Sequence, residues 1–309
     1  MHISGSNHLR PFVRSLLKAF DNEDPARNQQ RAITPKLLRA MYTMAGADAE
    51  TTRDSELAIV ADLAIMGYFY AMRSCEFTQT PQRGRTKLIR LSGIVFRDAN
   101  NVEMDNRDCR MRADAERVTI TFENQKNGLK MDRRTHQRSG DPVLCPVKRI
   151  AALVDRILRT VPSANADTPI NAVYLSGTLH QQISSTTVRN FMRSTCTAKG
   201  GKQVFGFDAL DIGTKSIRSG AAMGLFLMNI PTQKIKMMGR WSSDAFLVYI
   251  RPQVLEWTND LSRNMIQINS FTDVHESRPT LLLDPQPSAT LFNGNYPRHV
   301  DIRSMHLHH

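Results

Sequence analysis

The sequence predicts a mixed α+β fold that is mainly helical and carries one small antiparallel sheet or hairpin. Three observations lead there. Apolar residues recur at helical spacing over 34–42 and 53–72, and again over several stretches from 146 onward. Between them the period falls to two, over 87–91, 94–97 and 117–123, and 130–136 reads as a further strand. Asn127-Gly128 separates the last two runs, a dipeptide that favours a two-residue hairpin turn.

The elements follow in order. Residues 10–21 space Phe12, Val13, Leu16, Leu17 and Phe20 like one helical face, and the polar stretch 22–31 reads as a linker. Thr34-Pro35 is a cap followed by a first-turn proline. The helix predicted over 53–72 delivers Arg73 and Glu76 at its C-terminal end. The polar stretch 98–116 reads as an exposed insertion. Further helices are expected near 146–160, 185–198, 215–228, 231–238, 242–250 and 252–269, with Pro231 and Pro252 in first turns. From 273 the chain loses periodicity and gathers Pro279, Pro285, Pro287 and Pro297, the pattern of a mobile tail. His306, His308 and His309 at its end read as part of that tail. The expected organisation is a remnant helix with linker (1–33), a main domain (34–272) and the tail (273–309).

The 309 residues are 41% hydrophobic and 23% charged, a globular balance. No apolar run approaches the ~20 residues of a membrane helix, so no membrane partner is expected. A formal net charge of +12 favours a polyanionic partner, most simply nucleic acid. Cys75, Cys109, Cys145 and Cys196 have no paired spacing and read as reduced thiols.

Five short strings then occur in a fixed order: Arg73-Ser74-Cys75-Glu76, Gln125-Lys126-Asn127-Gly128, Lys215-Ser216-Ile217-Arg218, Gly239-Arg240-Trp241, and Tyr249. Singly each is ordinary. An arginine three residues before a glutamate is usually a surface ion pair, and a tyrosine among Phe246, Leu247 and Ile250 is usually a core aromatic. Their joint order resembles the catalytic domain of tyrosine recombinases, the phage-integrase type. The strings Ser216-Ile217-Arg218-Ser219-Gly220-Ala221-Ala222 and Gly239-Arg240-Trp241-Ser242-Ser243-Asp244-Ala245-Phe246 are closer still to recombinases of Crypton-like eukaryotic mobile elements. Leu144-Cys145-Pro146-Val147 is similar to that group too.

The resemblance implies a DNA breaking-rejoining fold, double-stranded DNA as partner, no cofactor or metal, a tetramer on DNA, and a nuclear address. It implies catalytic roles for Tyr249, Arg73, Arg218, Lys126, Lys215, Arg240, Trp241 and Glu76. The chemistry needs these residue types. A phosphodiester repels nucleophiles, so its transition state requires cationic donors at the non-bridging oxygens, and planar guanidinium forks supply them. Arg73 and Arg218 take that role, Tyr249 attacks, Lys126 protonates the leaving oxygen, and Glu76 orients its neighbours. Flanking cations Arg83, Arg85, Lys87, Lys130, Arg133, Arg134 and Arg138 are candidates for contact with the DNA backbone.

Two departures stand out. Lys215 occupies the place of the usual histidine, and an ammonium with pKa of about 10.4 is a poor base at neutral pH. The position that is His or Trp in the family falls on Arg240 or on Trp241, and the spacing to Tyr249 admits either. Three readings follow: an active recombinase, a nicking-closing enzyme like type IB topoisomerases, or a DNA-binding relic with a weakened or inactive site.

Overall fold

The computed structural model describes residues 30–47, 49–79, 86–125, 128, 130–161, 163–175, 178–228, 230–242 and 246–247, with the backbone alone described at 174–175 and 178–180. The predicted helices at 10–21 and 252–269, most of 242–250, the tail and its histidines lie outside these residues.

Helix α1 (Pro35–Met44) begins as its sequence dictates. The Thr34 hydroxyl accepts from Leu37 N, and Pro35 fills the first turn. Helix α2 (Glu56–Phe69) starts later than expected, because Ser55 caps it by accepting from Ala58 N. Every residue from Ala58 to Gly67 is buried, so α2 is the central helix of the domain. It ends before the predicted 72. The chain turns through Tyr70 and Ala71, the latter at φ 45°, and restarts as the single turn α3 (Ser74–Phe77). Arg73 and Glu76 therefore sit on their own short element, not on the end of a long helix.

Strands β1 (Ile94–Arg97), β2 (Arg117–Asn124) and β3 (Lys130–Gln137) form an antiparallel sheet in that order. The central strand β2 buries residues 118–122 on both faces, while β3 alternates with Asp132, Arg134 and His136 turned inward. The predicted strand at 87–91 does not form. Its backbone bonds go to three different partners: Lys87 N donates to Asn124 O, Ile89 N to Glu76 O, and Leu91 N to Thr168 O. No single ladder is available to it. The hairpin between β2 and β3 is also wider than two residues, since Asn124↔Lys130 is its last registered pair. Gly128 (φ +84°) closes a turn by donating from N to Gln125 O at 3.0 Å. Lys126 and Asn127 lie outside the described residues.

The stretch 98–116 is not simply an exposed insertion. It carries helix α4 (Cys109–Asp114), whose buried Arg112 donates from Nε to Asp155 at 2.8 Å on helix α5 (Pro146–Thr160). Helix α5 lays Val147, Ile150, Leu153, Val154 and Ile157 on the core, against α2. A second hairpin, β4 (Ala172–Leu175) and β5 (Thr178–Gln182), precedes helix α6 (Ser185–Ala198), capped by Ser184. Helix α7 (Gly201–Phe205) follows, between left-handed Gly200 and Gly206.

Helix α8 (Lys215–Leu227) packs on α2, and helix α9 (Thr232–Gly239) packs on α8. Pro231 takes the capping position before α9 rather than its first turn. Ala222, Ile235 and Phe246 form a small apolar cluster apart from the main core. At Gly220 the chain entering the domain presses on α8. A Cβ there would lie 2.4 Å from Ile33 O, and Ile33 N donates to Ser216 O at 3.2 Å.

His136 closes the sheet against α2. Its Nε2 lies 2.8 Å from Phe69 O, and its ring meets Tyr70 edge-on at 4.7 Å. Burial pushes the imidazole below its ordinary value, with the Phe69 carbonyl partly opposing. The unfolded chain binds a proton near pH ~6.5, where the folded ring stays neutral. Stability from this group is complete above that pH and is lost as pH falls through the folded value. Urea titrations between about pH 7 and about pH 5 are expected to show a smaller loss in His136→Gln than in the parent; equal slopes would refute the assignment.

Candidate nucleic-acid cleavage site

The site is built around one tripeptide, Gly239-Arg240-Trp241, at the end of α9. Arg240 adopts the left-handed conformation (φ 58°, ψ 43°), which ends the helix and splits the side chains to two sides. Inward, Arg240 is wholly buried. Its Nη2 donates to Glu76 Oε2 at 2.7 Å, its Nη1 to Tyr70 O at 2.8 Å, and its Nε to Gln125 Oε1 at 3.1 Å. The guanidinium carbon lies 3.7 Å from the Phe122 ring centre. Burial pushes its pKa down, Glu76 opposes, and an arginine so paired stays charged.

The other side of the tripeptide holds Arg218. Gly239 O accepts from Arg218 Nη2 at 2.6 Å, and the indole of Trp241 lies under the guanidinium at 4.4 Å. Trp241 rests in turn on Phe246 at 5.6 Å. Arg73 completes the group through Glu76. That carboxylate, 1% exposed, accepts from Arg73 N at 2.9 Å and from Arg73 Nη1 at 3.1 Å. The Arg73 side chain keeps 23% exposure. Lys215, exposed, begins α8 one turn ahead of Arg218, and no acidic residue sits in that turn. Two cations at the positive end of a helix dipole favour an anion beside them.

The tripeptide admits only glycine at 239. A Cβ there would stand 1.6 Å from the Trp241 ring. Gly239→Ala is therefore expected to push Trp241 off Arg218 and to cost about 1–3 kcal/mol in overpacking. Indole emission in a Trp257→Phe background, which leaves Trp241 as the only tryptophan, checks it. A red shift is expected, and unchanged emission would exclude the displacement.

The structure thus brings together Arg73, Glu76, Arg218, Arg240 and Trp241. Tyr249, Lys126, Arg83 and Arg85 lie outside the described residues. The cations expected to contact the DNA backbone differ in their surroundings. Arg138 donates from Nε to Ala115 O at 2.6 Å and also binds Ala113 O, and Arg134 donates from Nε to Met237 O at 2.8 Å and pairs with Asp132. Both guanidinium groups bind the protein itself through two of their nitrogens. Lys87 pairs with Glu123 at 3.1 Å, while Lys130 and Arg133 are exposed. Gln125 and Gly239 contribute to the site without an assigned role in the sequence. Each stands next to a residue with such a role, which was the one signal available.

No protein-family profile and no curated protein matches the chain. Among solved structures it is similar to the Tn1549 transposon integrase in complex with circular intermediate DNA, at TM-score 0.42 and 10% identity, over 82% of this chain and 74% of that one. An arginine-to-lysine variant of that integrase, with another circular intermediate DNA, gives TM-score 0.40 and 9% identity over 82% and 75%. Likeness of this degree assigns no residue, and the functional reading rests on the site.

Proposed function

We propose that the chain is a DNA recombinase of a Crypton-like mobile element, cleaving and rejoining double-stranded DNA through a covalent bond to Tyr249. The observation that supports it is the gathering of Arg73 and Arg218 around Gly239-Arg240-Trp241, with Glu76 fixing the first arginine. Arg73 and Arg218 hold the non-bridging oxygens of one phosphodiester. The Tyr249 oxygen attacks phosphorus, the bond from phosphorus to the 5′-oxygen breaks, and a 3′-phosphotyrosine forms. The phenolic proton leaves to solvent under the field of the two arginines. Lys126 gives the departing 5′-oxygen its proton. Trp241, lying under Arg218, fills the position that is His or Trp in such enzymes, and Lys215 serves as a donor to phosphate rather than as a base. The bond energy is kept in the ester, so rejoining needs no ATP. Strand exchange would run in a tetramer on DNA, in the nucleus for a eukaryotic element.

A second reading, a DNA-binding relic, is favoured by Lys215 and by the inward turn of Arg240, which leave two guanidinium groups for the phosphate. One experiment separates them. The full chain is incubated with a pool of nicked, randomised duplexes, and protein-linked DNA is recovered from denaturing gels and sequenced. A covalent adduct that disappears in Tyr249→Phe supports cleavage. Retention of DNA on native gels without any adduct, in the parent and in Lys215→His, supports the relic.

A further inference from the structure

We infer that Arg240 is a positioning residue that touches no phosphate and instead locks the Arg73 turn and the root of the β2–β3 hairpin into one body. The inference rests on the cleavage reading above for its purpose, but its geometry stands alone. A left-handed backbone at a non-glycine residue persists only where its surroundings enforce it. Here that backbone aims the arginine away from Arg218 while its two neighbours hold Arg218.

The three donating nitrogens of Arg240 reach three different elements. Glu76 Oε2, on α3, also accepts from Arg73 N. Tyr70 O belongs to the turn that ends α2. Gln125 Oε1 lies just past the end of β2, on a residue that is fully buried. With its carbonyl taken by Arg240, the Gln125 amide points its nitrogen at Asp132 Oδ2 on β3, 3.2 Å away. Asp132 pairs with Arg134, and Arg134 Nε donates to Met237 O, back on α9. Both strands of the hairpin are thereby tied to the same four-residue stretch, 237–240, that carries Arg240. A lysine at 240 would keep the charge but could not serve three acceptors in one plane. Lys126 follows Gln125 directly in the sequence.

The test uses the full chain with Gln125→Ala, which cuts the hairpin link and leaves the Arg240–Glu76 pair, and with Arg240→Met, which removes all three bonds. Amide exchange of the free protein is read first. In Gln125→Ala the hairpin amides, Gly128 among them, are expected to exchange about tenfold faster or more, with α2 and α5 unchanged. Arg240→Met is expected to add the Arg73 amide to that set. Unchanged hairpin exchange, or a rise spread evenly over the chain, overturns the inference.

Cleavage is read second, on DNA recovered by covalent capture. Gln125→Ala is expected to slow adduct formation about 10²-fold, the scale of one displaced proton donor, with DNA affinity within about twofold. Replacing the bridging 5′-oxygen by sulfur should restore most of the rate, because a thiolate leaves without a proton. Equal slowing on both substrates overturns the inference, since a merely loosened fold would produce it. Failure of the parent protein to form any adduct counts against the cleavage reading alone, and the exchange result then decides this one.

Discussion

Asp62→Ala is expected to cost the fold about 3–5 kcal/mol, the scale of a buried ion pair robbed of one partner. Asp62 sits inside α2, 3% exposed at its side chain. Arg149 Nη1 donates to it at 3.4 Å and Arg156 Nη2 at 3.2 Å, both from α5. Burial raises the carboxyl above the ordinary carboxylate range, against the pull of both guanidinium groups. Removing the carboxylate strands two cations in the main core. Arg156 would keep its bond to Arg53 O at 3.1 Å and its nearness to Asp54, and Arg149 its place over the Tyr42 ring at 4.3 Å. Neither supplies a buried negative charge. Exposed pairs such as Arg90–Asp167 should cost about 0–1 kcal/mol when broken. Urea denaturation measures the difference. The triple change Asp62→Leu, Arg149→Met, Arg156→Leu should recover most of the loss. A loss under about 1 kcal/mol in Asp62→Ala would show that water reaches the triad.

Arg218→Lys is expected to slow adduct formation about 10²–10³-fold, or about 2.7–4 kcal/mol of transition-state stabilisation. The charge survives this change, but the geometry does not. A planar fork can donate to Gly239 O through one nitrogen and lie over Trp241, and on the cleavage reading it meets a phosphate oxygen as a fork that a lysine cannot copy. An ammonium has no flat face for the indole and no second edge. DNA affinity should change little, because the electrostatic attraction is kept. Arg133→Ala, on the exposed side of β3, should do the reverse: weaken binding and flatten its salt dependence while leaving the rate of the bound complex alone. Single-turnover adduct formation against a salt-series gel shift separates the two effects. Loss of affinity without loss of rate in Arg218→Lys would remove Arg218 from the chemistry.

The local rules of the chain were easiest to read where the partner of a group lies a few residues away. Thr34-Pro35 and the apolar run after Ser55 specify their helices by caps and spacing alone. Strands β1 and β2 were legible from alternation, and β3 from the turn signal of Asn127-Gly128 ahead of it. The stretch 87–91 alternates equally well, yet its hydrogen-bond partners come from three distant elements, and alternation carries no information about that. The arginines taught the same lesson more sharply. Arg134, Arg138 and Arg240 look alike in a basic sequence. What separates them from exposed Arg133 is which carbonyl or carboxylate the fold brings alongside, and Glu76 lies 164 residues from Arg240 in sequence. The order of the site strings was visible from the start. That Arg240 turns inward while Trp241 lies against Arg218 follows from the left-handed turn, which no spacing in the sequence announces.

The contact at Gly220 ties the incoming chain to α8. Residues 31–33 are strapped to the chain around α8 by two backbone bonds, Arg31 N to Asp211 O at 2.8 Å and Ile33 N to Ser216 O. Glycine at 220 lets this strap lie flush on the helix, since a Cβ there would stand 2.4 Å from Ile33 O. Any side chain at 220 would therefore lift the strap and strain the bond at Ser216, two residues from Arg218.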